Sequence, residues 1–458
     1  MHQCPACTGI WIDDGAGMQQ RSLDTMESSN PAVLPRAING LVLLAQLALI
    51  GLLVGLACWP LNLIDRWQDL ILERLPFFAG GTWGSSQLLI ACSPLVAMPL
   101  LLVLQATSWR QGAGSGIPQT MVSLEQPEHA PAQMASRSVV QRMVLWTIAS
   151  LTLLPLGREG PVVQVGAAVA YQLRQRWPRL LERIKHSDLI ALGAGAGLSG
   201  GFNTPFMGVV FVAEELTRRF AAQVIWPGLM VCVIAAEVSN FGGQPLFALG
   251  VVADQVVESS QLLWGALLGV IGGLGGGLFA WLLLKSTCWI VPRARQQPWL
   301  WGLLLGGALT LLTLLNGGAN SGDGEALMRS LLSNPDEHAV NLLMAISRVI
   351  GPCLTLGAGI PGGLIDPAFA IGAALGDLVG QLSHHSVFCI TFGMTAGLAG
   401  ATQLPAMSLV FAIRMAGDQQ LLPGVAMAAV IGSYMGRVWL HTPIYHALTE
   451  LLNPKRAS

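Results

Sequence analysis

The stretches AGLSGGFNTPFMGVVF (residues 196–211) and AGLAGATQLPAMSLVF (residues 396–411) are one passage written twice. They agree at Ala, Gly, Leu, Gly, Pro, Met, Val and Phe with a constant offset of 200. A second pair, PVVQVGAAVA (161–170) and PAFAIGAALG (367–376), repeats at a similar offset. Two halves of about 200 residues each are the mark of a transporter built from structural repeats. Similarity alone leaves open whether the halves are inverted. The run GAGLSG (195–200) formally fits G-x-G-x-x-G, but no strand precedes it and its neighbours are apolar helix. Small residues at that spacing let membrane helices approach closely, so it reads as a packing surface and not a dinucleotide site.

Outside the repeat the composition points the same way. Of 458 residues, 53% are hydrophobic and 11% charged, where soluble domains carry roughly 25% charged. Some apolar runs, such as LVLLAQLALIGLLVGLACW (41–59) and 262–284, reach the ~20 residues needed to cross hydrocarbon. Others, including 302–315 and 388–401, are shorter, and several are broken by Gly or Pro. The mixture predicts an all-α polytopic membrane protein with re-entrant and half-length helices. It excludes a soluble enzyme, and no Ser/His/Asp or metal-ligand cluster is present. A net charge of −1 with no long basic tract offers nothing to nucleic acid. Six cysteines lie singly in or beside apolar segments and read as small fillers, while His384, His385 and His441 read as loop or interface residues.

Residues 1–32 form a polar tail without the apolar core of a signal peptide, expected to stay in the cytosol. Its CPAC turn, with Cys4 and Cys7, resembles half of a zinc ribbon. Zinc takes four ligands, and no second pair exists in the chain, so either the first knuckle is lost, or another subunit supplies it, or the tail is vestigial. The expected division is 1–32 tail, 33–245 first repeat and 246–458 second repeat. Basic clusters do not settle orientation, because Arg218–Arg219, Arg293–Arg295 and Lys455–Arg456 are matched by an equally basic run at 174–185.

Four segments share one construction, a polar or glycine-rich break before an apolar helix opened by proline. They are GAGSGIPQTM (112–121), GREGPVVQVG (157–166), GGLIDPAFAIG (362–372) and HTPIYHAL (441–448). Proline suits the first helical turn because its missing N–H is an orphan there. Free amides and the positive end of the helix dipole make an anion site without a formal positive charge. Irregular backbone at membrane depth is tolerated only where it is buried in protein or lines a cavity. Four such breaks therefore predict a shared, partly dehydrated anion centre.

These residues resemble the CLC family of chloride channels and transporters over roughly residues 38 to 450. GSGIP (114–118), GREGP (157–161) and GAGIPGGLIDP (357–367) look like its three signature motifs. The resemblance implies an inverted repeat, a homodimer with one pore per subunit, and chloride as substrate with no cofactor. It also implies a multi-pass protein of a bacterial inner membrane. Within the motifs it assigns anion binding to Ser115, Gly116, Ile117, Ile365, the backbone around Asp366, and Tyr445. Tyr445 is one of three tyrosines in the chain. Glu159 takes the role of the external gating glutamate. In NTPFMGVVFVAEEL (203–216), Glu215 takes that of the internal proton glutamate, with Glu214 beside it. Gly114, Pro118, Gly157, Arg158, Gly160 and Pro161 support the motif geometry. A carboxylate in a membrane helix is costly unless it takes up a proton or reaches a cavity. Two separated glutamates suit proton-coupled exchange, whereas a passive pore needs only the outer one.

Two departures from the family pattern stand out. The third motif usually reads G-x-F-x-P, and here Ile365 replaces the phenylalanine and Asp366 precedes the proline. Asp366 is either a helix N-cap satisfying its own amides or a protonatable group that adds to Glu159. Arg414 falls at the repeat position of Glu214, and either pairs with an acid such as Glu214 or faces cytosolic water. Few residues follow Tyr445, so the cytosolic CBS pair of larger relatives is not expected. The functional expectation is chloride/proton exchange. Its alternatives are an uncoupled voltage- or pH-gated chloride channel and, more remotely, a non-transporting protein whose tail binds zinc or a partner.

Overall fold

The computed structural model describes residues 33–181, 184–241, 260–333, 339–383, 386–417 and 419–452. The tail with Cys4 and Cys7, the 245/246 boundary, His384–His385 and Lys455–Arg456 lie outside the described residues. The chain divides into two compact units, Met1–Ala45 and Gln46–Ser458, and the second holds every residue of the site below.

Among the described residues the fold is helical throughout. Five stretches are long and apolar enough to cross a membrane: Gly40–Leu72, Ser85–Ala106, Ala222–Ser239, Gln261–Gln296 and Pro298–Leu315. Others are apolar but short. The helix Ser386–Thr402 has 17 residues, about 26 Å at 1.5 Å per residue, less than the ~30 Å of hydrocarbon. Nearly all of it is buried. The fold is an all-α polytopic one that mixes long helices with half-length ones.

Each repeat folds into the same device. In the first, the helix Glu159–Arg176 packs on His186–Phe202, where a Cβ on Gly166 would stand 2.8 Å from the Gly197 backbone. In the second, Ile365–Ser383 packs on Ser386–Thr402, where a Cβ on Gly397 would stand 2.7 Å from the Ala368 carbonyl and from Gly372 Cα. The glycines read as a packing surface are one. The chain then turns through a non-glycine residue in the left-handed region, Asn203 (φ 48°) in one half and Gln403 (φ 61°) in the other. Pro205 and Pro405 restart the helix two residues later. That strained turn at the 200-residue offset shows the repeat in the backbone itself.

Aromatic rings and the Glu214 carboxylate are among the contacts that join the halves. Phe411 stands edge-to-face on Phe202 (centroids 5.1 Å) and on Phe369 (4.6 Å), pairs each worth about 0.5–1.5 kcal/mol beyond their burial. Glu214 accepts hydrogen bonds from the backbone N–H groups of Ala406 (3.0 Å) and Met407 (2.8 Å), at the start of the helix Pro405–Ala416. The expected alternative of a Glu214–Arg414 pair does not hold, because Arg414 is exposed. Two amides at a positive helix terminus are the better partner for a half-buried carboxylate.

Candidate functional site

Three of the four breaks are joined backbone to backbone. Gly157 and Gly363 exchange hydrogen bonds in both directions, at 3.0 and 2.8 Å, as an isolated antiparallel bridge. The Gly114 N–H donates to the Gly359 carbonyl at 2.8 Å. Ser115 lies against Gly160, where an added Cβ would come within 2.5 Å of the Ser115 Oγ. Gly116 has φ 116°, and a Cβ there would also run into the Gly160 backbone. Glycine is thus required twice over at that position, by dihedral angle and by space. The Gly116 N–H is held by Gln119 Oε1 at 2.8 Å, and Trp146 Nε1 donates to the Gly157 carbonyl at 3.1 Å.

The fourth break supplies Tyr445, in the first turn of the helix Ile444–Leu452 and fully buried. Its charged surroundings are Glu159, Glu215 and Asp366, so it lies in electrostatic range of both predicted glutamates. The Tyr445 hydroxyl and the Ser115 Oγ are buried and have no hydrogen-bond partner among the described residues. Buried hydroxyls are normally bonded, and two orphaned ones beside helix starts fit an anion as their acceptor.

Glu159 is wholly buried in the first turn of its helix. Its Oε1 accepts the backbone N–H of Asp366 at 2.6 Å, so the carboxylate sits on the N-terminus of Ile365–Ser383. Gly363 has no side chain where Glu159 Oε2 lies. Asp366 is not the N-cap that one reading of the sequence expects. It lies inside the first turn, its N–H serves Glu159, and neither of its own carboxylate oxygens accepts a hydrogen bond among the described residues. Ile365 is buried at the same helix start, and Ile117 and Pro118 open the Ser115 helix in the same way.

Arg158 is buried and pairs with Asp65 and, at 3.5 Å, with Glu325. Its guanidinium lies 5.0 Å from the centroid of the Phe202 ring. This pairs the motif guanidinium with two acids and pins GREGP to the first long helix and to Glu325–Ser333. Glu215 lies in a π-helical turn, Val212–Leu216, and is 3% exposed. Its Oε1 is 3.4 Å from the His446 Nε2, and Arg218 Nη2 stands 2.7 Å from the same nitrogen. Burial first, and then the Arg218 charge, hold the His446 imidazole below its ordinary pKa. It is next in sequence to Tyr445.

A cavity of about 890 Å³ reaches Gly114 and Gln119 and is lined by Arg110, Arg137, Arg142 and Arg295, with no acidic residue among the described residues that line it. A smaller one of about 110 Å³ shares Gly114 and Gln119 with it and continues to Ser115. Arg142 is buried and donates to Gln164 and to the carbonyls of Gly114 (3.0 Å) and Ala113 (2.8 Å). A basic mouth opening toward the Ser115 loop concentrates anions by its field.

A sequence profile described as voltage gated chloride channel matches residues 94–437. The chain belongs to this family. Among curated relatives, the H(+)/Cl(-) exchange transporter ClcA of Yersinia pseudotuberculosis serotype IB is 29% identical over 447 residues, covering 89% of this chain and 87% of that one. The voltage-gated ClC-type chloride channel ClcB of Salmonella typhimurium is 27% identical over 301 residues, 63% of this chain and 70% of that one. The crystal structure of a slow cyanobacterial Cl-/H+ antiporter superposes with a TM-score of 0.71 at 21% identity, covering 91% of this chain and 99% of that one. That of a CLC-type fluoride/proton antiporter gives 0.72 at 22% identity, covering 90% and 98%. The expected fold is borne out, and the family is one of membrane channels and transporters.

Ser115, Gly116, Glu159, Gly160, Gly363, Asp366 and Tyr445 gather in one place, joined to Glu215 through the Tyr445–His446 helix. Glu214 serves as a helix acceptor between the repeats. Reading the sequence missed the partners of Arg158, the basic mouth and His446. Asp65, next to an apolar run, and Glu325, in a chain this poor in charge, were the available signal, since buried charges are kept only when paired.

Proposed function

We propose that the chain exchanges chloride for protons across a bacterial inner membrane, as a homodimer with one pathway in each subunit. The observation that carries this reading is the Glu159 carboxylate resting on the N-terminus of Ile365–Ser383, beside the orphaned hydroxyls of Ser115 and Tyr445. A carboxylate in that seat stands where a substrate anion gains the same amide and the same dipole. Glu159 takes up a proton and yields the seat to chloride, and it gives the proton up before it returns. Chloride reaches Ser115 and Tyr445 through the basic mouth. Ser115, Gly116, Ile117, Ile365 and the backbone of Asp366 form the anion's wall.

Glu215 is the proton entry from the cytosol. It is buried, has His446 beside it, and shares the neighbourhood of Tyr445 with Glu159. A pore without proton coupling has no use for a second buried carboxylate there. The serine of GSGIP favours chloride over fluoride.

An uncoupled chloride channel is the second reading, supported by the altered third motif, where Ile365 stands in place of a phenylalanine. Flux from purified protein in liposomes separates the two. Glu215→Gln is expected to stop proton movement while chloride movement continues. Proton movement equal to wild type in that variant overturns the role of Glu215, and chloride flux without any proton movement in the unmodified protein supports the channel.

A further inference from the structure

We infer that Asp366 is a second carboxyl gate, so that it and Glu159 must both be protonated before an anion is admitted to the helix terminus they share. The inference rests on the exchange reading above and concerns how acid regulates that same site.

Asp366 is fully buried, and both its carboxylate oxygens lack a hydrogen-bond partner among the described residues. The acids around it each have at least one partner: Asp65 and Glu325 pair with Arg158, Glu325 also with Arg329 at 2.5 Å, and the Asp323 Oδ1 accepts the Glu325 N–H at 2.9 Å. Asp366 instead shares a wall with Glu159. A Cβ placed on Gly157 would touch the Glu159 Oε2 and stand 2.7 Å from the Asp366 Oδ2, so the two carboxyl groups flank one point. The Asp366 N–H meanwhile holds the Glu159 Oε1.

The charged groups facing Asp366 are Glu159, Asp323, Arg158 and Asp65. Beyond them lie Glu325 and Arg329, and Arg348, which donates to the carbonyls of Gly322 and Ser321. Tyr445 lies in electrostatic range of the Asp366 carboxylate. The nearest cation, Arg158, is already engaged by Asp65 and Glu325.

Two adjacent carboxylates in a dry site do not both stay ionised. The helix terminus offers only about half a positive charge, and one ionised carboxylate on its first turn more than cancels that. An anion therefore replaces Glu159 only when Asp366 is neutral as well. Each group takes its proton from the solution on the Glu159 side. The protonated Asp366 then turns from acceptor into an O–H donor, which faces the incoming anion.

The test is chloride flux of the full chain in liposomes, measured against pH on the Glu159 side. Along the alkaline limb, flux gated by two protons falls about 100-fold per pH unit, and flux gated by one about tenfold. The wild type is expected to show the steep fall, and Asp366→Asn and Glu159→Gln each the shallow one. The double variant is expected to be flat, and Asp366→Glu to recover the steep fall. A wild-type fall of about tenfold that Asp366→Asn leaves unchanged overturns the inference, as does a pH-independent Glu159→Gln. Uphill proton movement by the wild type would survive either result. Conversely, a steep fall without uphill proton movement removes exchange and leaves the carboxyl pair standing.

Discussion

Replacing Gly363 with alanine asks a methyl group and the Glu159 carboxylate to occupy one place. The new Cβ would overlap Glu159 Oε2 and stand 2.9 Å from Glu159 Cβ. Gly363 is not among the positive-φ glycines, so alanine adopts its backbone without strain, and the two hydrogen bonds to Gly157 at 3.0 and 2.8 Å are kept. What yields is the free end of the glutamate, which loses the 2.6 Å bond from the Asp366 N–H. A hydrogen bond to a charged group is worth about 1.5–3 kcal/mol, and tenfold corresponds to about 1.4 kcal/mol. Seated Glu159 should therefore become about ten- to a hundredfold rarer. The expected phenotype is a gate held by Asp366 alone, with chloride efflux from liposomes persisting to higher pH than in wild type, a weaker response to acid, and fewer protons moved per chloride. Thermal unfolding should shift little, because no backbone contact is lost. Gly363→Ala with wild-type pH response and wild-type coupling would refute the seat.

Arg158→Met leaves Asp65 and Glu325 buried without their shared cation, and is expected to cost about 3–5 kcal/mol, read as a lowered unfolding temperature in detergent. Glu214→Ala frees the two amides at the start of the helix Pro405–Ala416 and should cost about 0.5–2 kcal/mol. Arg414→Ala, at an exposed position, should stay within about 0.5 kcal/mol of wild type. Equal losses from these two variants would restore the Glu214–Arg414 pair.

The parts legible in the sequence are those set by local requirements. Gly116 must be glycine because of its own dihedral angle and one close neighbour, and the prolines of the four breaks mark helix starts by their own geometry. The repeat was readable because the same turn, Asn203 and Gln403, is made twice with proline two residues on. Arg158 was readable as a motif residue, but its partners lie 93 and 167 positions away, and no local pattern names them. Arg414 shows where repeat symmetry misleads, since matching positions in two halves do not share neighbours. Glu214 finds its acceptor role at Ala406 and Met407, which the offset places opposite Phe206 and Met207. Asp366 was visible as an anomaly with two readings, a cap or a second protonatable group, that the sequence could not separate. Its isolation from any donor, and its nearness to Glu159, depend on a backbone bridge between Gly157 and Gly363 that exists only once both halves have folded together.

The central claim is that Glu159 and Glu215 serve one exchange of chloride for protons. Purified protein in sealed liposomes, given a chloride gradient and no proton gradient, tests it most directly. The account predicts that chloride running downhill drives protons uphill the other way, and that the movement stops with Glu215→Gln while chloride continues. Chloride flux of comparable size with no proton movement in the unmodified protein would contradict it.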